Sequence, residues 1–263
     1  MNWRTLPLKK MRAMRTNRDW LIGNTQQLIL PGLAMAAVVS MVLASFLSGC
    51  VNVVTYTQPT LVRVIDASYA APAINVVVES TILAGNVGQG TITPYGTLTA
   101  STAAPIKITA ATGGAALLTT SGILLAGHQH SILISDNAAV PGTYAVTILE
   151  DQQIAAAGGH SAFRFLNQAS KAGAVDIYMI PAGVTLANSI PIVTNLAVGN
   201  IPVYISFPSQ TVTMVVTPTG TITPKYTSAP IALIGGEVRT VLLVDTQLTS
   251  TPAIQAFIAN DVN

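Results

Sequence analysis

The sequence predicts an all-β protein in which two tandem Ig-like β-sandwich domains follow an N-terminal helical signal segment. Three observations predict it: an apolar run that ends at a lone cysteine, an internal repeat after that run, and short β-branched segments broken by Pro, Gly and Asn. The segments recur at roughly the 8–12-residue spacing that is typical of sandwiches. The Cys–Trp–Cys core of antibody domains is missing, so the Ig-like assignment concerns architecture only.

The first element is a leader that covers residues 1–49. Six Lys and Arg residues lie before residue 20, and an apolar stretch runs from Leu28 to Gly49. Basic residues followed by an apolar run are typical of a secretory signal. An uncleaved membrane helix is the alternative, because about 20 apolar residues can span a bilayer. Pro31-Gly32, near the start of the run, favours cleavage.

Cys50 is the only cysteine of the chain, and it directly follows Leu47-Ser48-Gly49. Small residues suit a signal peptidase that cuts before the cysteine, and a thiolate is the nucleophile that would take a diacylglycerol group. These four residues resemble the lipobox of bacterial lipoproteins, which implies that Cys50 carries a lipid anchor. Val51 leaves no acidic signal for inner-membrane retention, so we expect the protein in the cell envelope, at the outer membrane or the cell surface.

The charge of the chain changes sign once the leader is set aside. From residue 51 onward six Lys and Arg residues stand against nine Asp and Glu residues, a net charge of −3. This excludes the basic footprint of a nucleic-acid-binding protein. Both tryptophans, Trp3 and Trp20, also lie in the leader. With no second cysteine, each domain must be stabilised by packing without an intrachain disulfide.

An internal repeat sets the domain organisation. Residues 63–78 align without a gap on residues 164–179, and residues 125–136 align on residues 234–245. Two matched blocks in the same order predict two copies of one domain. The predicted divisions are a tether at 50–60, a first domain at 61–152, a linker at 153–160 and a second domain at 161–263.

The predicted strands are short β-branched runs, and long helical periodicity is absent after residue 50. In the first domain the runs are Leu61–Ile65, Ile74–Val78, Ile106–Thr109, Ser131–Ile134 and Tyr144–Leu149. In the second domain they are Val175–Met179, Val203–Phe207, Val212–Val216, Thr240–Val244 and Ile254–Ile258.

The segment Leu61–Val78 resembles the bacterial domain-of-unknown-function family numbered 4397, whose members read V-R-V-x-H-A-S-x-D-A-P-x-V-D-V-Y. The resemblance would extend over nearly all of residues 60–263. It implies secreted or surface-anchored β domains, often in tandem, with no established activity. The chain keeps Val62-Arg63-Val64, Ala67-Ser68 and Ala71-Pro72, whereas Asp66, Ala70, Asn75 and Val77 replace the family's histidine, two aspartates and tyrosine; the second copy keeps Arg164, Asp176 and Tyr178.

Arg63 and Arg164 occupy matching places in two otherwise apolar strands. They could anchor a ligand, but a buried arginine must be paired, so a structural role is favoured. The expected partners lie in the same domain: Asp136 for Arg63, and Asp176 or Asp245 for Arg164.

The three histidines offer little for a metal. His128 and His130 are two residues apart and would share one face of a strand, which we expect to be solvated. A metal would need further ligands, and the second copy has Glu237 and Arg239 at the equivalent places. His160, in the predicted linker, is the second residue of the segment Gly159–Phe163, which approaches a nucleophile elbow but lacks its closing glycine. We therefore expect no catalytic residue, no metal and no cofactor.

The function predicted from sequence is a non-catalytic, lipid-anchored envelope protein with a structural, adhesive or interaction role. Its partners would be the membrane, through the lipid on Cys50, and an envelope protein or polysaccharide, but not nucleic acid. A binding module for a polysaccharide or other envelope polymer is the alternative. Since no Trp follows the leader, tyrosines would have to supply the flat platforms that sugars need: Tyr69, Tyr95, Tyr204 and Tyr226.

Overall fold

The computed structural model describes residues 58–247 and 253–262. Three predicted features lie outside the described residues: the leader, Cys50 as the site of lipid attachment, and most of the tether. Within the described part the chain forms β-strands and one 3-10 turn, Leu186–Asn188. None of the helical structure in this part is long and apolar enough to cross a membrane. The prediction of an all-β fold is confirmed.

Sixteen strands make up the described residues, eight in each half. The first eight are β1 (Thr60–Asp66), β2 (Ile74–Val78), β3 (Thr81–Val87), β4 (Gly96–Leu98), β5 (Ser101–Ala110), β6 (Ala116–Leu124), β7 (Gln129–Asp136) and β8 (Tyr144–Asp151). The other eight are β9 (His160–Asn167), β10 (Val175–Pro181), β11 (Val193–Leu196), β12 (Ile205–Pro208), β13 (Thr211–Pro218), β14 (Tyr226–Ala232), β15 (Val238–Asp245) and β16 (Ile254–Asn260).

The strands pair into four four-stranded sheets, and the two halves have the same topology. In the first half the orders are β4-β1-β7-β8 and β3-β2-β5-β6; in the second they are β12-β9-β15-β16 and β11-β10-β13-β14. One pair in each half is parallel: β1 with β7 in the first half and β9 with β15 in the second. The other pairs are antiparallel, for example β2 with β5 and β7 with β8. Each half is thus a β-sandwich, and the repeat seen in the sequence is a repeat of the fold.

The central strands of one sheet in each sandwich are buried on both faces. In β1, Val62 and Val64 belong to the core of the first sandwich, whereas Ile65 belongs to a different cluster on the opposite face. Side chains alternate between the two faces of a strand, so Arg63 lies on the same face as Ile65. Burial on both faces explains why β1 reads as a nearly continuous apolar run.

The cluster on the opposite face joins the two sandwiches. It combines Ile65, Leu133 and Leu149 of the first sandwich with Leu166 and Leu242 of the second. The sheets β4-β1-β7-β8 and β12-β9-β15-β16 therefore pack face to face, and each serves two cores. We call these the inner sheets and the layer between them the seam.

The strands that the predicted runs omit are mostly edge strands. β3, β4, β6, β11 and β14 each lie at the edge of a sheet, where burial is one-sided and small or polar residues suffice. β9 is internal, and its start was assigned to the linker. The predicted linker, 153–160, ends on His160, which is the first residue of β9. Ser161 is fully buried in the same strand, so the segment Gly159–Phe163 does not form an elbow.

Candidate functional site

A cluster of buried charged and polar side chains lies in the seam, around Arg63. This guanidinium is 1% exposed and donates four hydrogen bonds. Nε donates to Ser131 Oγ at 2.7 Å within the first sandwich. Nη1 and Nη2 cross the seam to the Asn260 carbonyl oxygen at 3.0 Å, Thr240 Oγ1 at 3.3 Å and Asp261 Oδ1 at 2.5 Å. The arginine of one sandwich thus neutralises a carboxylate of the other.

Arg164 makes the reciprocal contacts from the second sandwich. Its Nη2 donates across the seam to Asp151 Oδ1 and, on its own side, to Thr240 Oγ1 at 2.9 Å. Its Nη1 donates to the Glu150 carbonyl oxygen at 3.3 Å. Two arginine–aspartate pairs therefore cross the seam in opposite senses, and repeat-equivalent residues occupy equivalent places in both.

A tyrosine of the same sandwich covers each arginine. The Cζ atom of Arg63 lies 4.7 Å from the centre of the Tyr95 ring, and that of Arg164 lies 4.8 Å from the centre of the Tyr204 ring. The two phenol hydroxyls donate to the aspartates, at 2.7 Å in the first sandwich and 2.6 Å in the second. Burial raises the pKa of both phenols, so each stays protonated and acts as a donor.

Two hydroxyls complete this arrangement. Ser131 Oγ donates to Asp151 at 2.6 Å, and Thr240 Oγ1 donates to Asp261 at 2.6 Å. Burial acts to lower the pKa of Arg63, but the carboxylates of Asp261 and Asp151 outweigh it and the pKa is raised. The guanidinium is therefore permanently charged. We call the eight side chains the polar network: Arg63, Tyr95, Ser131, Asp151, Arg164, Tyr204, Thr240 and Asp261.

The polar network is suited to holding the sandwiches together. Its charges compensate one another, and its carboxylates are fully buried. Charged groups buried in this way are stabilised only when they are paired and hydrogen-bonded. One donor lacks a partner, because Arg164 Nε makes no hydrogen bond whereas the equivalent atom of Arg63 binds Ser131.

The structural role expected for Arg63 and Arg164 agrees with these contacts, but the predicted partners were wrong. Asp136 and Asp245 each accept backbone N–H groups from the loop after the first strand of their own sandwich. Asp176 accepts two backbone N–H groups, one from Asn195 in β11 and one from Gly220 in the β13–β14 turn. The carboxylates that accept hydrogen bonds from the two guanidiniums, Asp261 and Asp151, lie across the seam. The acid of its own sandwich that lies near Arg63 is Asp151, 3.7 Å from Nε, and not Asp136.

Other positions of the repeat fix loops. Asp66 and Asn167 each accept the backbone N–H two residues further on, at 3.0 Å in both cases. Asn75 and Asp176 each accept, at 2.8 Å, the N–H of an asparagine in the neighbouring edge strand. Those asparagines, Asn86 and Asn195, have the positive φ angles of 53° and 51° that a β-bulge uses. These polar side chains of the repeated motif therefore stabilise loops and bulges by accepting backbone N–H groups.

The two neighbouring histidines differ in environment. His128 is exposed, and its Nδ1 lies 2.7 Å from Glu150 Oε1. His130 is buried, its Nε2 accepts the Leu125 N–H at 2.9 Å, and burial lowers its pKa. The predicted solvated face is thus correct for His128 and wrong for His130. Among residues 58–247 and 253–262 no group of three or more His, Cys, Asp and Glu side chains could hold a metal.

Three of the four tyrosines predicted as sugar platforms already pack against other parts of the protein. Tyr95 and Tyr204 belong to the polar network, and Tyr226 packs against the core of the second sandwich. Tyr69 lines a crevice of about 290 Å³ between the two sandwiches, together with Gln168 and Lys171. The Lys171 ammonium lies 5.8 Å from the centre of the Tyr69 ring.

This crevice lies at the end of the seam where β1, β7, β9 and β15 finish. A wider cleft, of about 540 Å³, lies along the seam beside Arg164 and Tyr204. It is lined mainly by apolar side chains from β8 and from residues 201–203. The crevice combines an aromatic ring, an amide and an ammonium, and so has the better set of groups for a polar ligand.

Comparison with known families identifies one domain. The model of the family described as "Domain of unknown function (DUF4397)" matches residues 60–178. A DUF4397 domain is therefore present there, and the matched range covers the first sandwich together with β9 and the first four residues of β10. No curated protein matches the chain.

Among solved structures the chain has a likeness to CBMbc (family CBM26) from Eubacterium rectale Amy13K, crystallised in complex with maltoheptaose. The match covers 76% of this chain and 96% of that chain at 11% sequence identity, with a TM-score of 0.23. A TM-score this low supports no conclusion about shared fold or ligand.

Proposed function

We propose that this protein is a non-catalytic, lipid-anchored component of the cell envelope that binds a partner at the end of the seam far from its anchor. The observation that carries the proposal is that the buried charged side chains of the inner sheets pair with one another. Both arginines of the inner sheets, with their two aspartates, join the sandwiches to each other. A catalytic site needs such groups at a cavity where substrate can reach them.

The two ends of the seam are suited to different roles, one to the lipid anchor and the other to partner binding. Gln58, the first described residue, lies eight positions after Cys50, at the end where β1 begins. The crevice with Tyr69 and Lys171 lies at the opposite end of the same strand. An anchor at one end would turn this crevice away from the membrane and towards envelope partners. Loops at the end of a sandwich are a common place for binding residues.

The anchor is tested by Cys50→Ala in the producing cell. We expect the variant to leave the membrane fraction or to persist as the uncleaved precursor, while the native protein is found in membranes at mature size. Mass spectrometry of the mature N-terminus should find diacylglycerol on Cys50. A Cys50→Ala protein of mature size that still fractionates with membranes would refute the lipid anchor.

A polysaccharide is the second candidate partner, favoured by the groups that meet in the crevice. The Tyr69 ring could stack on a sugar, and Gln168 and Lys171 could donate hydrogen bonds to its hydroxyls. Envelope polysaccharides should then be retained by the native protein and lost on Tyr69→Ala. Tyr226→Ala is the matched control, because that ring packs against the second core away from the crevice. Equal retention by both variants would refute a sugar site at the crevice.

A further inference from the structure

The end of the protein where β1 begins is built from loops that are bonded to one another. The β6–β7 loop meets the start of the described chain, because Gly127 N donates to the Pro59 carbonyl oxygen at 2.9 Å and Leu61 N donates to that of His128 at 3.0 Å. Gln153, in the connection between β8 and β9, lines the same depression as Gln58. The first sandwich and the interdomain connection thus share this end.

The second sandwich contributes a loop to the same end. Ala156 N donates to the Gly236 carbonyl oxygen at 3.1 Å, and Gly236 N donates to that of His160 at 2.8 Å. The β14–β15 loop is therefore held against the connection between the sandwiches. Three loops from different parts of the sequence form one surface beside the segment that leads back to Cys50.

This surface carries large apolar side chains that the fold does not bury. They come from the end of β6, the β6–β7 loop, the interdomain connection and the β14–β15 loop. Single exposed apolar residues are ordinary on protein surfaces, but several collected at one end mark a contact site. We call them the apolar rim: Ile123 (56% exposed), Leu125 (42%), Ile154 (76%) and Ile234 (55%).

The charges beside the rim are paired with one another. His128 Nδ1 lies 2.7 Å from the Glu150 carboxylate, and Arg239 Nη2 lies 2.5 Å from that of Glu237. This part of the surface has no basic excess that would attract anionic headgroups. Its contribution to membrane contact would therefore come from burial of apolar area, which does not require anionic lipid.

We propose that the apolar rim inserts into the surface of the lipid bilayer that holds the anchor. The inference rests on the proposed lipidation of Cys50, because only seven residues, 51–57, separate it from the described chain. Seven residues span at most about 25 Å when fully extended, so the rim is the part of the sandwiches that the anchor keeps nearest to lipid. The rim then fixes the orientation of the protein, with the seam crevice pointing outwards.

Tryptophan fluorescence can test this cleanly, because Trp3 and Trp20 are removed with the leader and the mature chain has no other tryptophan. The single-tryptophan variants Ile154→Trp and Ile234→Trp report on the rim. Ile222→Trp is the matched control, since Ile222 is 63% exposed in the β13–β14 turn at the opposite end. Each mature protein is reconstituted into phosphatidylcholine vesicles with and without brominated acyl chains.

The rim reporters should shift to shorter emission wavelength on reconstitution, and brominated lipid should quench them. Quenching should be strongest for bromine near the headgroup end of the chain, as expected for side chains about 5–10 Å into the interface. Ile222→Trp should respond only to aqueous acrylamide. Rim reporters that acrylamide quenches as strongly as this control, with no effect of brominated lipid, would overturn the proposal.

The same reporters, made without residues 1–49 and with Cys50→Ala, carry neither lipid nor the leader tryptophans. Mixed with preformed vesicles, they separate this proposal from the anchor. If mass spectrometry finds no lipid on Cys50 but the rim reporters still respond to vesicles, the anchor fails and the rim is supported. If the lipid is present but the rim reporters stay in water, the rim alone fails. If the lipid is absent and the reporters stay in water, both fail.

Discussion

Replacing Arg63 with methionine tests whether the polar network stabilises the folded protein. Methionine keeps much of the aliphatic length but removes all four hydrogen bonds of the guanidinium. Asp261 retains its bonds from Tyr204 and Thr240 but loses the charge that compensates it. A carboxylate then remains in the seam without a cation from the first sandwich.

The size of the effect follows from the burial of the pair. Arg63 and Asp261 have side chains that are 1% and 0% exposed, so water cannot replace the missing partner. Removing one member of a buried ion pair costs about 3–5 kcal/mol, because the other charge stays buried and uncompensated. We expect Arg63→Met to lower the free energy of unfolding by that amount, out of a total that is typically about 5–15 kcal/mol.

Urea unfolding of the mature protein, followed by circular dichroism, measures this difference. Arg164→Met should cost a similar amount, because Arg164 makes the reciprocal contact with Asp151. Arg239→Met is the matched control: its pair with Glu237 is partly exposed, and such pairs contribute about 0–1 kcal/mol.

Two results would refute the reasoning. One is an Arg63→Met protein that loses no more stability than Arg239→Met. The other is a double-mutant cycle of Arg63→Met with Asp261→Asn that gives no coupling, since contacting residues are expected to couple by about 0.5–3 kcal/mol.

Three further predictions concern the seam and its surroundings. Fragments 60–152 and 161–263 should be stable chiefly as a 1:1 complex, because each exposes its half of the seam. Fully folded, non-associating fragments in ultracentrifugation would contradict this. Gly90→Ala should lower the free energy of unfolding by about 1–3 kcal/mol more than Gly113→Ala does in urea titrations. Both glycines have positive φ, but only at Gly90 would a Cβ lie 2.4 Å from a phenylalanine ring of β16. Equal losses of stability in the two variants would refute this close approach. Burial lowers the pKa of His130 below its usual value of about 6.5, so near that pH the unfolded chain binds more protons at His130 than the folded chain does. The free energy of unfolding should therefore fall as the pH drops through about 6.5. His130→Gln should remove this dependence, and an unchanged pH profile in that variant would count against it.

Much of the fold could be predicted because it is encoded locally. The run Ile74–Val78 is β2 residue for residue, since alternation and β-branched side chains identify a strand with one buried face. Edge strands such as β4, with three residues, carry too little periodicity to be found. The start of β9 was missed because glycine and histidine at residues 158–160 read as a linker.

The candidate site, like the fold, was visible in the sequence only in part. The matching places of Arg63 and Arg164 were visible in the repeat, and so was the alignment of Ser131 with Thr240. Tyr95 and Tyr204 were named only as sugar platforms, and Asp151 and Asp261 were not singled out. All four lie outside the aligned blocks: Tyr95 and Tyr204 directly precede β4 and β12, Asp151 ends β8, and Asp261 follows β16. The repeat therefore gave no means of grouping them with the arginines.

The sequence by itself determined the β class, the duplication and the expectation that a buried arginine needs a partner, because these depend on local periodicity and on the cost of desolvating a charge. Only the tertiary structure decided where that partner is. The two inner sheets are apolar on both faces, so they bury their second faces against each other. This packing brings each arginine to an aspartate of the other sandwich: Arg63 to Asp261, 198 positions away, and Arg164 to Asp151, 13 positions away. A charge pair that crosses between domains leaves no local trace in the chain, because it is fixed by the packing of the sheets and not by spacing along a strand.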